Sequence, residues 1–218
     1  MVDQGDSSRR LRAWVRGAGP KSRAALDELG RTIGLAPGQT RVTLVDLAVS
    51  AVERLQQRRP GYSFGPQQDL LHFGAPSLAS MAGGLVTRAR EHGGLFEAVV
   101  FEDHGLGPGA PEAPTMRETF LFFGSDGLTL HGLPRHRHSL EIMRQALAPG
   151  ARVVLMQCWA FSDGGQLALA LSEILGCPVL GMNGAQIVDN QQMEGAVFRA
   201  YEGRVDCVGM APWVVYFD

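Results

Sequence analysis

The sequence is poor in cysteine and almost devoid of lysine. Its 218 residues include three cysteines and a single lysine, Lys21. Cys158, Cys177 and Cys207 are an odd number without C-x-x-C spacing, which argues against a disulfide framework and against a cysteine zinc site. We therefore expect free thiols in a reducing compartment. Cys177 and Cys207 stand among apolar, strand-like residues and are predicted to be buried in the core.

Long apolar runs are also missing from the chain. No stretch reaches the ~18 consecutive apolar residues of a membrane-spanning helix, and the charged N-terminus has no apolar segment of the secretory type. We expect a cytoplasmic protein, with export by a non-classical route as the alternative. No membrane partner is expected.

The common phosphate-binding loop motifs are absent as well. Neither GxxxxGK[ST] nor GxGxxG occurs in the sequence, which argues against nucleotide binding through those loops. No cofactor is therefore expected.

Three histidines lie within one short segment, HGLPRHRHS. His131, His136 and His138 could in principle bind zinc or nickel. Arg135 and Arg137 are interleaved with them, and positive charge beside a cation is unfavourable. The segment is therefore predicted to be a solvated loop entering the next helix, without a metal.

Charge is distributed unevenly along the chain. Residues 1–60 hold 11 Lys and Arg against 6 Asp and Glu, whereas the remainder holds 9 against 16. Such asymmetry is typical either of a basic arm for nucleic acid or of a segment that docks on its own acidic domain. The second interpretation is favoured, because Trp14 is the only aromatic residue beside these arginines and no base-stacking pattern accompanies them. No nucleic acid partner is expected.

Two regions differ in their apolar periodicity. Residues 1–60 are predicted to form an N-terminal helical arm, because apolar residues recur at spacings of three and four, with Ser22 and Thr43 as helix caps. Pro60-Gly61 marks the boundary, and residues 61–218 are predicted to form an α/β domain. The three predicted helices of the arm are LRAWVRGA, SRAALDELGRTIG and TLVDLAVSAVERLQQRR.

The second region alternates short apolar runs with amphipathic segments, which indicates a mostly parallel sheet with helices on both faces. FLFFGSDGLTLHG is predicted to be a hairpin, because an Asp-Gly pair suits the positive φ angles of a tight turn. The other predicted strands are DLLHFGAP, FEAVVFEDHG, ARVVLMQCWA and PVLGMNG, followed by a hairpin in the tail. The predicted helices are SLASMAGGLVTRAREHGG, SLEIMRQALAPG and GQLALALSEILGC.

Cys158 and His104 each follow an apolar strand of the predicted sheet. A thiol becomes a strong nucleophile when a neighbouring imidazole shares its proton, and parallel strands carry their ligand crevice at their carboxyl ends. Gly105 follows His104 directly, so its N–H and that of Cys158 could form an oxyanion hole. The alternative is a buried Cys158 and a loop histidine in an unrelated α/β domain.

The order of these elements resembles a known family. An apolar strand ending in His-Gly, a hairpin with Asp-Gly, a helix and an apolar strand ending in cysteine appear here as VVFEDHG, FFGSDGLTL, SLEIMRQAL and RVVLMQC. This order resembles the cysteine peptidase superfamily of caspases, legumain, separase and gingipain, and is similar to the self-cleaving peptidase domains of bacterial toxins. The resemblance spans roughly residues 68–190. It implies a caspase-like fold and a cysteine endopeptidase of bacterial character, with Cys158 as nucleophile and His104 as general acid or base.

The flanking residues depart from the caspase pattern. Caspases carry Gln-Ala-Cys-Arg-Gly, whereas this chain has a tryptophan and an alanine after Cys158. Trp159 could shape a substrate pocket. Glu102-Asp103 precedes His104, and an acid there could either orient the imidazole or bind a basic substrate residue. Asp163 is a second candidate for binding a basic substrate residue. Residues 105–114 are rich in glycine and proline and are predicted to be a flexible flap or processing loop.

Several alternatives remain open at this point. His131 also precedes a glycine and competes with His104, although a catalytic strand is expected in the middle of the sheet and favours His104. The same scaffold could be a catalytically inactive interaction domain. It could also be an effector that performs another cysteine-dependent acyl transfer or a deamidation. The peptide or protein substrate and the oligomeric state are not indicated.

Overall fold

A computed structural model describes residues 9–33, 70–111, 113–184, 192–193, 196–210 and 213–214. In chain order, the strands are β1 (Arg9–Gly17), β2 (Leu70–Ala75), β3 (Gly94–Glu102), β4 (Gly105–Leu106), β5 (Phe120–Phe123), β6 (Asp126–Leu128), β7 (Leu147–Met156), β8 (Val179–Met182), β9 (Gln192–Met193), β10 (Ala196–Tyr201), β11 (Arg204–Met210) and β12 (Trp213–Val214). The described helices are α1 (Arg23–Thr32), α2 (Leu78–Glu91), α3 (Leu133–Arg144) and α4 (Gln166–Leu175).

Seven of these strands form the main sheet, in the order β11-β10-β8-β7-β3-β1-β2. The strands β2, β1, β3, β7 and β8 are parallel, and β10 and β11 are joined to β8 in antiparallel fashion. The predicted α/β class with a mostly parallel sheet is thus confirmed. All five parallel strands end at the same rim, where open α/β sheets carry their sites.

The first strand corrects the predicted helical arm. LRAWVRGA was expected to be helical, but β1 lies between β2 and β3 in the sheet. Its side chains alternate, with Leu11, Ala13 and Val15 fully buried on one face and Arg12 and Trp14 directed to the other, as the two-residue period of a strand requires. The helical interpretation was wrong because the apolar residues also fit spacings of three and four. Since β1 is a central strand, the boundary at residue 60 does not separate it from the α/β unit.

Helix α1 confirms the second predicted helix of the arm. It starts after Ser22, whose Oγ accepts a hydrogen bond from the Ala25 N–H at 3.1 Å, as a helix N-cap does. Its buried face, formed by Ala25 and Leu29, packs against Phe120 and Phe122 of the small sheet. The third predicted helix of the arm, with its cap Thr43, lies outside the described residues.

The main core lies on one face of the large sheet. Leu85 of α2, Leu140 of α3 and Leu171 of α4 belong to a single buried cluster with the inward residues of the parallel strands, such as Leu11 and Val153. Burial of each such side chain stabilises the fold by about 1.5–3 kcal/mol. A smaller cluster occupies the opposite face. Helices on that face remain a prediction, because no described helix supplies a residue to this cluster.

Strands β4, β5 and β6 form a separate small sheet, and the predicted hairpin is confirmed as β5–β6. The turn lies earlier than expected. Gly124 has the positive φ of +63°, whereas Gly127 lies within β6. A Cβ at position 127 would come within 2.2 Å of the Phe120 ring, so this glycine provides space and does not form the turn. The Asp126 carboxylate instead accepts the Leu78 N–H at the start of α2, at 2.9 Å.

The tail forms the antiparallel pair β10–β11, as predicted. Cys177 is buried, as expected, but Cys207 is exposed and the prediction of a core position was wrong. Cys207 lies in β11, the edge strand of the sheet, in which most of the described side chains are exposed. Apolar neighbours in sequence therefore did not indicate burial here.

The histidine segment forms part of a helix. Helix α3 already begins at Leu133, so His136 and His138 are helical and the predicted loop is wrong. Among the residues that the structure describes, no group of three or more His, Cys, Asp or Glu side chains could hold a metal ion.

None of the described helices is both long enough and apolar enough to cross a membrane.

Candidate functional site

His104 and Cys158 lie side by side at the carboxyl rim of the sheet. Strands β3 and β7 are parallel neighbours, and Glu102 is the register partner of Met156. His104 lies two residues after Glu102, and Cys158 lies two residues after Met156. Both side chains are half-buried. The shared rim that the sequence predicted is therefore present, and the catalytic role of the two residues remains a prediction.

The backbone after His104 touches the backbone of Cys158. A Cβ at Gly105 would come within 2.1 Å of the Cys158 carbonyl oxygen, so only glycine permits this approach. The Phe122 N–H donates to the His104 carbonyl at 2.9 Å, which makes Gly105 and Leu121 a pair of opposed residues without mutual hydrogen bonds. The Gly105 N–H is therefore turned away from β5, as a donor for a substrate oxyanion would have to be.

Phe122 connects the two strand ends. Its N–H donates to the carbonyl of His104, and its own carbonyl accepts a hydrogen bond from the Gln157 side chain. Gln157 is buried and directly precedes Cys158. The backbone of Phe122 in β5 thus holds both His104 and Gln157, the residue before the thiol.

Asp103 has an internal role that differs from the predicted contact with a basic substrate residue. Its Oδ1 accepts from Lys21 Nζ at 2.6 Å and from the His104 N–H at 2.8 Å, and its Oδ2 accepts from the Gly124 N–H at 2.7 Å. A Cβ at Gly17 would lie 1.7 Å from the same carboxylate. The Asp103 side chain is only 5% exposed, so it is not placed to bind a basic substrate residue, and that expectation was wrong.

Asp163 likewise serves the fold. Its carboxylate accepts the backbone N–H groups of Gly165, Gln166 and Leu167 at 2.9, 3.0 and 3.3 Å. These are the donors that the first turn of a helix leaves without intrahelical partners. Asp163 therefore caps α4, and the predicted substrate-binding role does not agree with its contacts.

Trp159 adopts a backbone conformation that is unusual for a bulky residue. Its φ is +61°, which costs on the order of 1–3 kcal/mol and persists only where surrounding contacts impose it. The Trp159 N–H donates to the Gly184 carbonyl at 2.7 Å. Its carbonyl accepts from the hydroxyls of Ser162 at 2.8 Å and Thr119 at 3.3 Å. These contacts fix the chain as it turns away from the thiol.

The Trp159 side chain lies over the glycine-rich segment 105–114. Built Cβ atoms at Gly107 and Gly109 would lie 3.1 and 3.4 Å from it. Ala113 in the same segment is buried in the cluster beneath α1, and Ala110 is buried as well. The described residues of this segment therefore pack against the protein, and the flexible flap or processing loop remains a prediction. Trp159 is half-buried and remains a candidate for substrate contact.

His131 lies in a different environment from His104. Its Nδ1 is 3.0 Å from a Glu118 carboxylate oxygen, and its side chain is 84% exposed. The hydrogen bond to the Glu118 carboxylate and the charge of Glu118, with a smaller effect of Glu28, raise the pKa of His131. Gly105, and not the glycine after His131, contacts the Cys158 backbone, so the geometry favours His104 as the partner of the thiol.

The three thiols differ in access to solvent. Cys158 is half-buried, Cys207 is exposed and Cys177 is buried. Burial raises the pKa of Cys177 to about 12, and the nearby Arg144 offsets this in part. Because thiolates are the reactive form of cysteine, Cys177 is not a candidate nucleophile.

Sequence inspection missed Lys21, Gln157 and Phe122 as members of the site. The single lysine of the chain was visible, but its partner Asp103 is 82 positions away. A glutamine inside an otherwise apolar strand end was a usable signal, because a buried amide needs hydrogen-bond partners. No local pattern identified Phe122, since its backbone and not its side chain makes the connection.

Comparison with known proteins yields no match to any family model, curated protein or solved structure. No family membership is therefore assigned to the chain.

Proposed function

We propose that this protein is a cysteine endopeptidase with a caspase-like scaffold, in which Cys158 is the nucleophile and His104 the general acid and base. The contact between Gly105 and the Cys158 carbonyl carries the proposal. It brings the histidine segment against the thiol segment at the rim of a parallel sheet. Cysteine peptidases require a thiol and an imidazole within reach on rigid elements.

In the proposed reaction, the Cys158 thiol passes its proton to His104 and the thiolate sulfur bonds to the carbonyl carbon of the substrate. The Gly105 and Cys158 N–H groups stabilise the oxyanion. The imidazolium then donates its proton to the amine as the C–N bond breaks, leaving a thioester on Cys158. Water, deprotonated by His104, attacks the thioester, releases the acid and restores the thiol.

The architecture supports this proposal in two ways. The hairpin sheet β4–β5–β6 lies between β3 and β7 in sequence, as the resemblance to caspase-like peptidases implies. The left-handed conformation of Trp159 directly after the thiol is strain of the kind that clusters at functional sites. Asp103 and Asp163 are both engaged internally. Neither acid therefore favours a basic residue at the cleavage site of the substrate.

A peptide library bearing thiol-reactive acyloxymethyl ketone groups tests the proposal. We expect covalent labelling of the native protein, located at Cys158 by peptide mass mapping, and loss of labelling in Cys158→Ala and His104→Ala. Cys207→Ser serves as the matched control, because it removes an exposed thiol outside the rim. Labelling that persists in Cys158→Ala, or that is indifferent to His104→Ala, would overturn the proposal.

Incubation with unstructured protein substrates separates the remaining alternatives. A peptidase creates new termini. A deamidase raises the mass of a glutamine or asparagine residue by about one dalton without new termini, and an inactive interaction domain changes nothing. Only the first result, abolished in Cys158→Ala, agrees with the proposed function.

A further inference from the structure

We propose that Lys21 and Asp103 form a positioning pair that holds His104 in its working orientation, an inference that rests on the proposed function and deepens it. The two charges are 2.6 Å apart, and their side chains are 11% and 5% exposed. The ion pairs between the N-terminal segment and β3 are more exposed, at 55% and 15% for Arg16 with Glu102 and at 20% and 27% for Arg12 with Glu97. A shielded pair of this kind does not behave as an ordinary surface salt bridge.

The pair acts on His104 through the backbone. Asp103 Oδ1 accepts the N–H of His104, while the carbonyl of His104 accepts the N–H of Phe122. Both peptide groups that flank the histidine are therefore fixed. The next residue, Gly105, is held against Cys158, so the direction in which the imidazole leaves the backbone depends on these contacts.

Lys21 stabilises the negative charge on which this arrangement depends. The carboxylate of Asp103 satisfies three donors at once, including the Gly124 N–H in the hairpin turn. Lys21 Nζ also lies 4.6 Å from the centre of the Phe122 ring, where a cation is attracted by the aromatic face. Without Lys21, a shielded carboxylate would lack its counter-charge and would turn toward solvent. This movement would loosen its hydrogen bond to the His104 N–H.

The N-terminal segment is built into the sheet beside the site, where Lys21 can reach Asp103. Lys21 belongs to the connection between β1 and α1, and Asp103 follows β3, the neighbour of β1. Ser22, the residue after Lys21, donates its N–H to the Ser125 carbonyl in the hairpin turn at 2.9 Å. The connection is thus held from two sides, and its lysine is a positioning residue, not a catalytic one.

The test compares Lys21→Met with Lys21→Arg, which keeps the cation, and with Arg23→Met, which removes an exposed cation nearby. The double variant Lys21→Met/Asp103→Asn removes both charges and guards against failure of the single variant to fold. Two quantities are measured on the folded protein. They are hydrogen exchange of the His104 amide and the rate of Cys158 alkylation by iodoacetamide relative to that of Cys207.

We expect Lys21→Met and the double variant to accelerate exchange of the His104 amide and to lower relative Cys158 alkylation by about 10- to 100-fold, the scale on which small misplacements reduce reactivity. Lys21→Arg should restore most of both signals, and Arg23→Met should change neither. If Lys21→Met lowers only the stability and leaves both signals as in the parent, the pair is purely structural and the inference is overturned.

Failure of the proposed function has a different signature. His104→Ala in the parent should lower the relative alkylation of Cys158. If it does not, the Cys-His pair is absent and both proposals are overturned. If it does while Lys21→Met changes nothing, only the positioning inference is overturned.

Discussion

The α-carbon of Gly105 lies against the carbonyl oxygen of Cys158, so closely that a methyl group on residue 105 would come within 2.1 Å of that oxygen. Both partners in this contact belong to the backbone, so no side-chain rotation can relieve a clash. We expect Gly105→Ala to lower the free energy of unfolding by about 1–3 kcal/mol, the usual cost of overpacking, and to abolish labelling of Cys158 by peptidyl ketones. Denaturant unfolding and labelling measure the two effects.

Gly83→Ala provides the matched control for this prediction. Gly83 lies within α2, and a Cβ there would meet nothing within 4 Å. Alanine should stabilise that helix by about 0.5–1 kcal/mol and leave labelling unchanged. Equal stability of Gly105→Ala and the parent would contradict the contact described above.

The second prediction concerns the cap of α4. Asp163→Ala removes the acceptor of three backbone N–H groups and should cost about 0.5–2 kcal/mol of stability, measured by urea unfolding. Glu173→Ala removes an exposed carboxylate from the same helix and should change stability by less than about 0.5 kcal/mol. Similar losses for the two variants would show that Asp163 is not a cap.

Thiol reactivity gives a third prediction. Near pH 6, a thiol with the reference pKa of cysteine is less than about 1% thiolate, and Cys177, with its pKa raised to about 12, is effectively unreactive. If Cys158 shares its proton with His104, iodoacetamide should modify Cys158 first at this pH. Mass spectrometry of timed samples measures the order. Faster modification of Cys207 than of Cys158 near pH 6 would count against an activated thiol.

The fourth prediction concerns the pair of His131 and Glu118. Because Glu118 raises the pKa of His131, the pair contributes stability that is fully present below the unfolded histidine value and is lost as the pH rises through the folded pKa. Glu118→Gln should therefore lower the pKa of His131 in an NMR titration. Glu141→Gln, which removes a carboxylate that pairs with Arg137, should leave the His131 titration as it is. No downward shift in Glu118→Gln would refute the assignment.

Local sequence patterns predicted much of the architecture. Apolar runs alternating with amphipathic segments predicted β3, β7 and β8 and the helices that follow β2 and β7, because a buried parallel strand has an apolar run as its signature. The order of the elements also placed His104 and Cys158 on neighbouring strand ends. The membership of this chain in the caspase-like superfamily remains a prediction.

The errors have a common physical origin. β1 was assigned to a helix because its apolar residues also fit a helical spacing, and only pairing with β2 and β3 decides between the two. Asp103 and Asp163 were predicted to bind substrate because they lie beside the candidate site in sequence. The sequence alone does not show whether such a carboxylate faces solvent or accepts hydrogen bonds from buried donors.

The α/β class, the hairpin between β3 and β7 along the chain, and a thiol and an imidazole at the ends of these two strands could all be predicted from periodicity within short windows of sequence. Three contacts became visible only in the folded chain: Lys21 pairs with Asp103, Phe122 links His104 to Gln157, and Gly105 meets the Cys158 backbone. Those contacts join residues far apart in the chain, and their energy depends on distances that no local pattern encodes.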